Sequence, residues 1–210
     1  MQLRVNAATS VDGKLASRER EQLAISGPAD FARVDELRGA FDAIMVGVGT
    51  VLADDPSLTT DGEGENPVRV IADSRARTPT DARVLEGDAE TVVLVSDAAV
   101  PDRVSGLTEA GATVLEAGSQ RVDLAAGLSA LEDRGIGSLL VEGGGEIVFS
   151  LFEAGLVDEL SVYVGSMVVG GREAPTLADG NGFTENYPTL DLQAVERIDD
   201  GVLLEYAVKD

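Results

Sequence analysis

Apolar residues recur along this chain with two periods, and the periods define its elements. Short apolar runs lie at Leu3–Ala8, Ala43–Val46, Val68–Ala72, Thr91–Val95, Ala112–Leu115 and Leu160–Val164. Too short for helices and rich in β-branched residues, they read as buried strands. From Pro28 the spacing changes: Phe31, Val34, Leu37 and Phe41 recur at helical intervals, with proline at the first turn. Arg103–Ala110 and Leu124–Arg134 read as two more helices. Leu190–Arg197 and Gly201–Val208 close the chain as strands joined by a tight turn at Asp199-Asp-Gly201. Strands alternate with helices to about residue 155, and strands dominate afterwards. The pattern predicts one α/β domain over residues 1–210, with a mainly parallel sheet and an antiparallel hairpin at its C-terminal edge.

One segment stands out from this pattern. Leu139-Leu-Val-Glu-Gly-Gly-Gly-Glu-Ile-Val-Phe149 runs from an apolar stretch through three glycines into helical spacing that continues to Leu156. It predicts a buried strand, a tight turn and a helix N-terminus. Glycines let a ligand approach the backbone, and the first helical N–H groups lack partners, so such a corner suits a phosphate. A plain strand-to-helix turn is the competing reading. Glu142 either hydrogen-bonds a substrate or satisfies backbone donors.

Two further loops are expected at the carboxyl ends of strands, where α/β sheets place their ligands. In Gly47-Val-Gly-Thr-Val-Leu-Ala-Asp-Asp-Pro56, Thr50 offers a hydroxyl to a phosphate or ribose, and Asp54 or Asp55 can accept from ribose hydroxyls. Leu52 stands where a dinucleotide fingerprint needs glycine, and Thr50 and Asp54 also suit helix caps. In Asp73-Ser-Arg-Ala-Arg77, Arg75 and Arg77 form a rare positive spot that suits the 2′-phosphate of NADP. Surface pairing with carboxylates is the alternative there. Asn6 is a polar amide in an otherwise apolar strand, facing either solvent or a cleft. Asp12-Gly13 reads as a turn, and Asp61–Glu65 as a solvated loop.

Charge sharpens this picture. The chain carries 16 basic and 38 acidic residues, a net charge of −22, with Lys14 and Lys209 its only lysines. The acids are spread along the whole length, which suggests a surface adapted to a salty cytoplasm. No basic patch is present to meet nucleic acid. No apolar run reaches transmembrane length, and no signal peptide precedes the first strand, so a cytoplasmic location is expected. The absence of Cys and His excludes a disulfide framework, a Cys/His zinc site and His-based triads. Acid–base work then falls to carboxylates, Tyr, Lys or bound water.

Six ordered motifs carry a family resemblance. They are Ser10-Val-Asp-Gly-Lys-Leu-Ala16, Val46–Thr59, Asn66–Ser74, Val141-Glu-Gly-Gly-Gly145, Glu153-Ala-Gly-Leu-Val-Asp-Glu159 and Gly170-Gly-Arg-Glu-Ala-Pro-Thr176. Together they resemble the riboflavin-pathway reductases, the stand-alone archaeal and fungal enzymes acting on 2,5-diamino-6-ribosylamino-4(3H)-pyrimidinone 5′-phosphate. That family is related to the reductase half of the bacterial bifunctional deaminase–reductase. The resemblance implies a dihydrofolate-reductase-like fold, a homodimer and NADPH as hydride donor, with NADH the alternative. It also implies that Thr50, Asp54, Ser74, Arg75, Ala76, Arg77, Gly143, Gly144 and Gly145 meet the cofactor. Asn6, Arg38, Leu58 and Glu142 match substrate-binding positions, with Arg38 toward the phosphate and Glu142 or a bound water as proton donor. The C-terminal strands and Val162–Val169 are the expected dimer contacts. Two departures remove potential phosphate contacts: Asp61 replaces a basic residue or His of some relatives, and Asp35 replaces a His expected in archaeal ones. A dihydrofolate reductase and a non-catalytic dinucleotide-binding protein of the same fold are the competing readings.

The charge yields a prediction. Raising KCl from about 0.1 M to about 1 M shortens the Debye length from about 10 Å to about 3 Å and screens the self-repulsion. The unfolding midpoint should rise, each 1 kcal/mol of relieved repulsion appearing as about 2–4 °C. A midpoint indifferent to salt, measured by circular dichroism, would contradict the salt-adapted reading.

Overall fold

The computed structural model describes residues 1–62, 64 and 66–209; Glu63 and Glu65, within the loop expected at Asp61–Glu65, lie outside the described residues. The chain divides into two compact units. The first comprises Met1–Gln2 and Leu37–Leu140, the second Leu3–Glu36 and Val141 onward.

In the first unit, β2 (Ala43–Gly47), β3 (Val68–Ala72), β4 (Thr91–Val95) and β5 (Thr113–Glu116) form a parallel array in the order β5-β4-β3-β2. β2 and β4 are buried along their whole length, as parallel strands covered on both faces must be. Helix α2 (Val48–Asp54) follows β2 directly, α3 (Pro101–Glu109) precedes β5, and α4 (Leu124–Glu132) follows it. Pro101 takes the first helical position of α3, and the Asp123 carboxylate caps α4 by accepting from Ala126 N at 3.0 Å. Ile44, Val46, Ile71, Val93, Val95 and Leu107 are central to the core. Arg69 of β3 is buried with them, and its guanidinium donates to the carbonyls of Glu86, at 2.8 Å, and Ala89.

In the second unit, β1 (Gln2–Ser10) pairs in parallel with β7 (Glu159–Gly165). β9 (Gly201–Val208) runs antiparallel to β7, and β8 (Leu190–Ile198) antiparallel to β9. The C-terminal hairpin is therefore where the alternation predicts it. Strand β6 (Ser138–Gly143) passes through the unit boundary and leads into α5 (Gly145–Glu153). Tyr163 is fully buried against Ile25 and Leu203. A Cβ on Gly201 would fall 2.4 Å from the Tyr163 hydroxyl, so glycine is the residue this contact permits.

Three departures from the sequence pattern have physical causes. The segment after β2, expected as a loop, is helical because Val48 and Val51 bury one face, and Asp55 ends it in a left-handed conformation at φ 42°. Helix α1 (Pro28–Gly39) forms as predicted, but Phe31 is 60% exposed and Asp30 is the residue it buries. The Asp199-Asp-Gly201 turn does more than reverse the chain. The Asp199 carboxylate accepts from Ala29 N (3.0 Å) and Asp30 N (3.2 Å), satisfying the start of α1 from 170 residues away in sequence.

Asp12, expected as part of a plain turn, joins two loops. Its carboxylate accepts from Ser10 Oγ at 2.7 Å, Val169 N at 3.0 Å and Gly170 N at 2.7 Å. These bonds, the one from Ser10 foremost, hold its pKa down at about 2. A depressed carboxylate stabilises the fold fully above its unfolded value of about 3.9, and that contribution disappears as pH falls toward the folded value. Asp12→Ala should therefore melt below the wild type at neutral pH, with the gap closing between about pH 4 and pH 2. A gap independent of pH in paired thermal melts would remove the carboxylate from this role.

Candidate active site

The first unit gathers its expected cofactor residues at the carboxyl ends of β2 and β3. Thr50 sits half-buried in the third position of α2, and Asp54 ends that helix. Neither is a cap: Gly47 occupies the N-cap without a side-chain bond, and Asp55 the C-cap. Asp54 is exposed as a residue, yet packing around its carboxyl pushes its pKa up.

After β3, the chain turns sharply through Ser74–Arg77. Buried Asp73 organises the turn: its Oδ2 accepts from Thr78 N (2.7 Å) and Thr78 Oγ1 (2.8 Å), while its carbonyl accepts from Ala76 N (3.1 Å). Ala76 is left-handed at φ 51° with its methyl in the core. That geometry sends the flanking Arg75 and Arg77 outward. Arg75 is exposed and has no ion pair among the described residues, and Arg77 Nε lies 3.9 Å from Asp73 Oδ1. The Ser74 hydroxyl accepts from Val122 N at 3.0 Å. A cavity of about 550 Å³ adjoins this turn, lined by Ala76, Arg77, Thr78, Thr80 and, from α3, Asp102, Arg103 and Gly106. Arg103 went unnoticed in the sequence because no local motif links it to the loop 26 residues earlier.

Two expected substrate residues also belong to this unit. Arg38, in the last turn of α1, donates from Nη1 to the Thr59 carbonyl at 3.2 Å. Leu58 is left-handed at φ 51°, and its side chain is buried in the core. Any ligand contact at this position is therefore a backbone contact.

The second unit holds the glycine corner. Glu142 and Gly143 finish β6 rather than following it, and Glu142 is half-buried with a partner inside the chain. Gly144, the N-cap of α5, takes φ 95°, which a side chain rarely tolerates. Gly145 is needed for space: a Cβ there would fall 2.4 Å from the Thr176 carbonyl and 2.7 Å from Asp179 Oδ2. Asp179 is held by Thr176 N (3.1 Å) and Thr176 Oγ1 (2.5 Å), and its own N–H donates to the Gly145 carbonyl at 3.0 Å. One carboxylate thus already flanks this helix N-terminus. Also in this unit, Asn6 is only 6% exposed and lies inside the fold rather than on a solvent face.

Comparison with known proteins shows the family of the chain. Residues 1–204 match the RibD C-terminal domain family. A 2,5-diamino-6-ribosylamino-4(3H)-pyrimidinone 5′-phosphate reductase from Methanothermobacter thermautotrophicus is 46% identical over 211 residues, covering 98% of this chain and 97% of that protein. A protein of the same name from Archaeoglobus fulgidus is 43% identical over 208 residues, covering 94% and 93%. Among solved structures, the deaminase/reductase of Thermotoga maritima aligns with a TM-score of 0.80 at 26% identity, over 99% of this chain and 56% of that one. Dihydrofolate reductase from Enterococcus faecalis, at 14% identity and a TM-score of 0.57 over 100% of this chain and 97% of its own, shares the fold. Matched over nearly its full length, this α/β chain of dihydrofolate-reductase-like fold belongs to the RibD C-terminal domain family.

Proposed function

We propose that this chain, residues 1–210 acting as one reductase, converts the ribosylamino side chain of 2,5-diamino-6-ribosylamino-4(3H)-pyrimidinone 5′-phosphate to the ribitylamino form in riboflavin biosynthesis. The observation that carries this reading is the 46% identity to the Methanothermobacter protein of that name, extending over 98% of this chain and 97% of the relative. Likeness to dihydrofolate reductase, at 14% identity, concerns the fold alone.

The residues present fit NADPH. Arg75, exposed and with no ion pair among the described residues, and Gly144, which carries no side chain at the N-cap of α5, support this fit, whereas the space beside Gly145 is filled by the Thr176 carbonyl and Asp179. Thr50, Asp54, Ser74–Arg77 and Gly143–Gly145 hold the cofactor, with Arg75 and Arg77 on the 2′-phosphate. Bound NADPH supplies the hydride for C1′ of the ring-opened imine of the substrate. The chain's own part is to orient and to move a proton. Arg38 pairs with the substrate phosphate, Leu58 contributes backbone, and Asn6 and Glu142 take the pyrimidine side. Glu142, or a water it orders, protonates the imine nitrogen. The exposed Leu192 and Val195 of β8 support a homodimer contact through the outer hairpin. Val162 is buried within its own chain, so the outward Val168 is what the Val162–Val169 segment offers to a partner. A high-salt cytoplasm suits the −22 charge.

The test follows NADPH absorbance in molar KCl with the ribosylaminopyrimidine phosphate, using dihydrofolate as control. Oxidation with the pyrimidine alone is expected. The Arg75→Ala, Arg77→Ala double variant should raise KM for NADPH by about 10- to 100-fold, the loss of one or two charge-assisted hydrogen bonds, and leave NADH kinetics unchanged. Turnover of dihydrofolate instead would move the activity to the folate enzyme. Tight NADPH binding without any turnover would indicate a non-catalytic protein.

A further inference from the structure

Asn6 sits in β1 opposite Ser161 of β7 in the parallel register. Its Oδ1 accepts two hydrogen bonds, from Arg33 Nη2 at 3.0 Å and from Ser161 Oγ at 2.9 Å. The orientation of this amide follows from chemistry. A guanidinium carries donors and no acceptor, so the amide oxygen and not its nitrogen must face Arg33. The Ser161 hydroxyl then donates to the same oxygen. Arg33 is itself fixed. Its Nε and Nη2 each lie 2.8 Å from Asp30 Oδ1, and Asp30 is 1% exposed. The backbone N–H of Asp30 is in turn held by Asp199.

With both oxygen lone pairs used, the amide has only its Nδ2 donors left to offer. Nδ2 has no hydrogen-bond partner among the described residues. Among the described residues the buried side-chain atoms lacking a partner are Arg69 Nε and Asp73 Oδ1, and Nδ2 of Asn6 is not one of them. It is therefore not fully sealed from solvent, in a residue only 6% exposed.

We propose that Arg33 and Ser161 are positioning residues that lock the Asn6 amide with Nδ2 outward, so that the substrate atom at this position is a hydrogen-bond acceptor. The inference rests on the substrate role proposed for Asn6 and gives that role a polarity. An aminopyrimidinone phosphate presents donors at its amino groups and acceptors at its oxo group, ring nitrogen and ribose or phosphate oxygens. A locked donor takes one of the acceptors and rejects a pose that turns an amino group toward Asn6, because two facing donors leave both unpaired. Free rotation of the amide would accept either pose. The clamp removes that ambiguity before substrate arrives.

Asn6→Asp is close to isosteric and keeps an oxygen toward Arg33 and Ser161, but it replaces the outward donor with a carboxylate oxygen. KM for the ribosylaminopyrimidine phosphate should rise by about tenfold or more, while KM for NADPH and the melting temperature stay unchanged. The second readout uses the wild type, so it stands even if the variant fails to fold. The Asn6 side-chain ¹⁵N–H₂ signals, assigned by selective asparagine labelling, should form one pair that shifts on adding the pyrimidine phosphate and stays put with NADPH alone. In Ser161→Ala the pair should broaden or double, as one of the two restraints is gone. A KM for Asn6→Asp within about twofold of wild type, or Asn6 signals indifferent to the pyrimidine in a catalytically active enzyme, overturns the clamp and leaves the reductase reading standing. A wild-type protein that neither binds nor reduces the pyrimidine overturns both.

Discussion

A net charge of −22 is the constraint to which the rest of this structure answers. With 38 acidic residues against 16 basic ones, a guanidinium at the surface has carboxylates on every side. Most observed pairings follow that expectation: Arg4 with Glu159 and Glu205, Arg33 with Asp30, Arg134 with Glu90. The Asp73–Thr78 turn is the exception that matters. Asp73 spends one carboxylate oxygen on Thr78, its other oxygen lies 3.9 Å from Arg77, and Arg75 projects from the same turn. A multiply charged anion approaching this molecule meets a field of its own sign. Local guanidinium groups are the chain's means of reversing that field over a few ångströms, and high salt shortens the reach of the opposing charges.

The excess acid also builds the fold. Asp12, Asp42, Asp73, Asp179 and Asp199 each accept from backbone N–H groups. Asp42 takes Gly137 N (2.8 Å), Ser138 N (2.9 Å) and Ser138 Oγ (3.0 Å), fixing the start of β6 beside β2, and these bonds draw its pKa down. A carboxylate offers only acceptors, so it suits loops and helix starts whose donors lack partners. Three of these clamps, at Asp12, Asp42 and Asp199, link segments distant in sequence. Where the carboxylate is ionised they also work best at the neutral pH that makes the overall charge most repulsive. Local hydrogen bonding thus offsets part of the self-repulsion that the same residues create.

This division of labour explains what the sequence made legible. Apolar runs placed β2, β3 and β4 within a residue or so, because burial on both faces leaves a continuous apolar stretch, while the hairpin, whose β8 is largely exposed, was marked by its tight Asp199-Asp-Gly201 turn. The glycine corner was legible for two separate reasons now visible, backbone conformation at Gly144 and crowding at Gly145. What failed to show was everything that depended on a distant partner. Asp12 and Asp199 read as turn residues because the backbone groups they hold lie more than 150 positions away. Arg103 carries no local signature that it lines the same cavity as Arg77, and Leu58 gave no sign that its side chain would be in the core while its backbone turned left-handed. Asn6 was ambiguous for the same reason: a polar residue in an apolar strand is explained only by Arg33 and Ser161, one from a helix and one from a neighbouring strand.

The missing histidine has a consequence for proton transfer. With neither His nor Cys in the chain, no side chain has an ordinary pKa between pH 5 and 8. Asp54 is raised and Asp12, Asp42 and Asp200 are lowered from a carboxylate range already well below neutrality. Glu116, beside Asp97, is also raised. A substrate phosphate, by contrast, loses its second proton near pH 6, as phosphate monoesters do, and gains negative charge within that interval. In a reductase built this way, pH dependence around neutrality belongs to the ligand's ionisation and to the guanidinium groups that meet it.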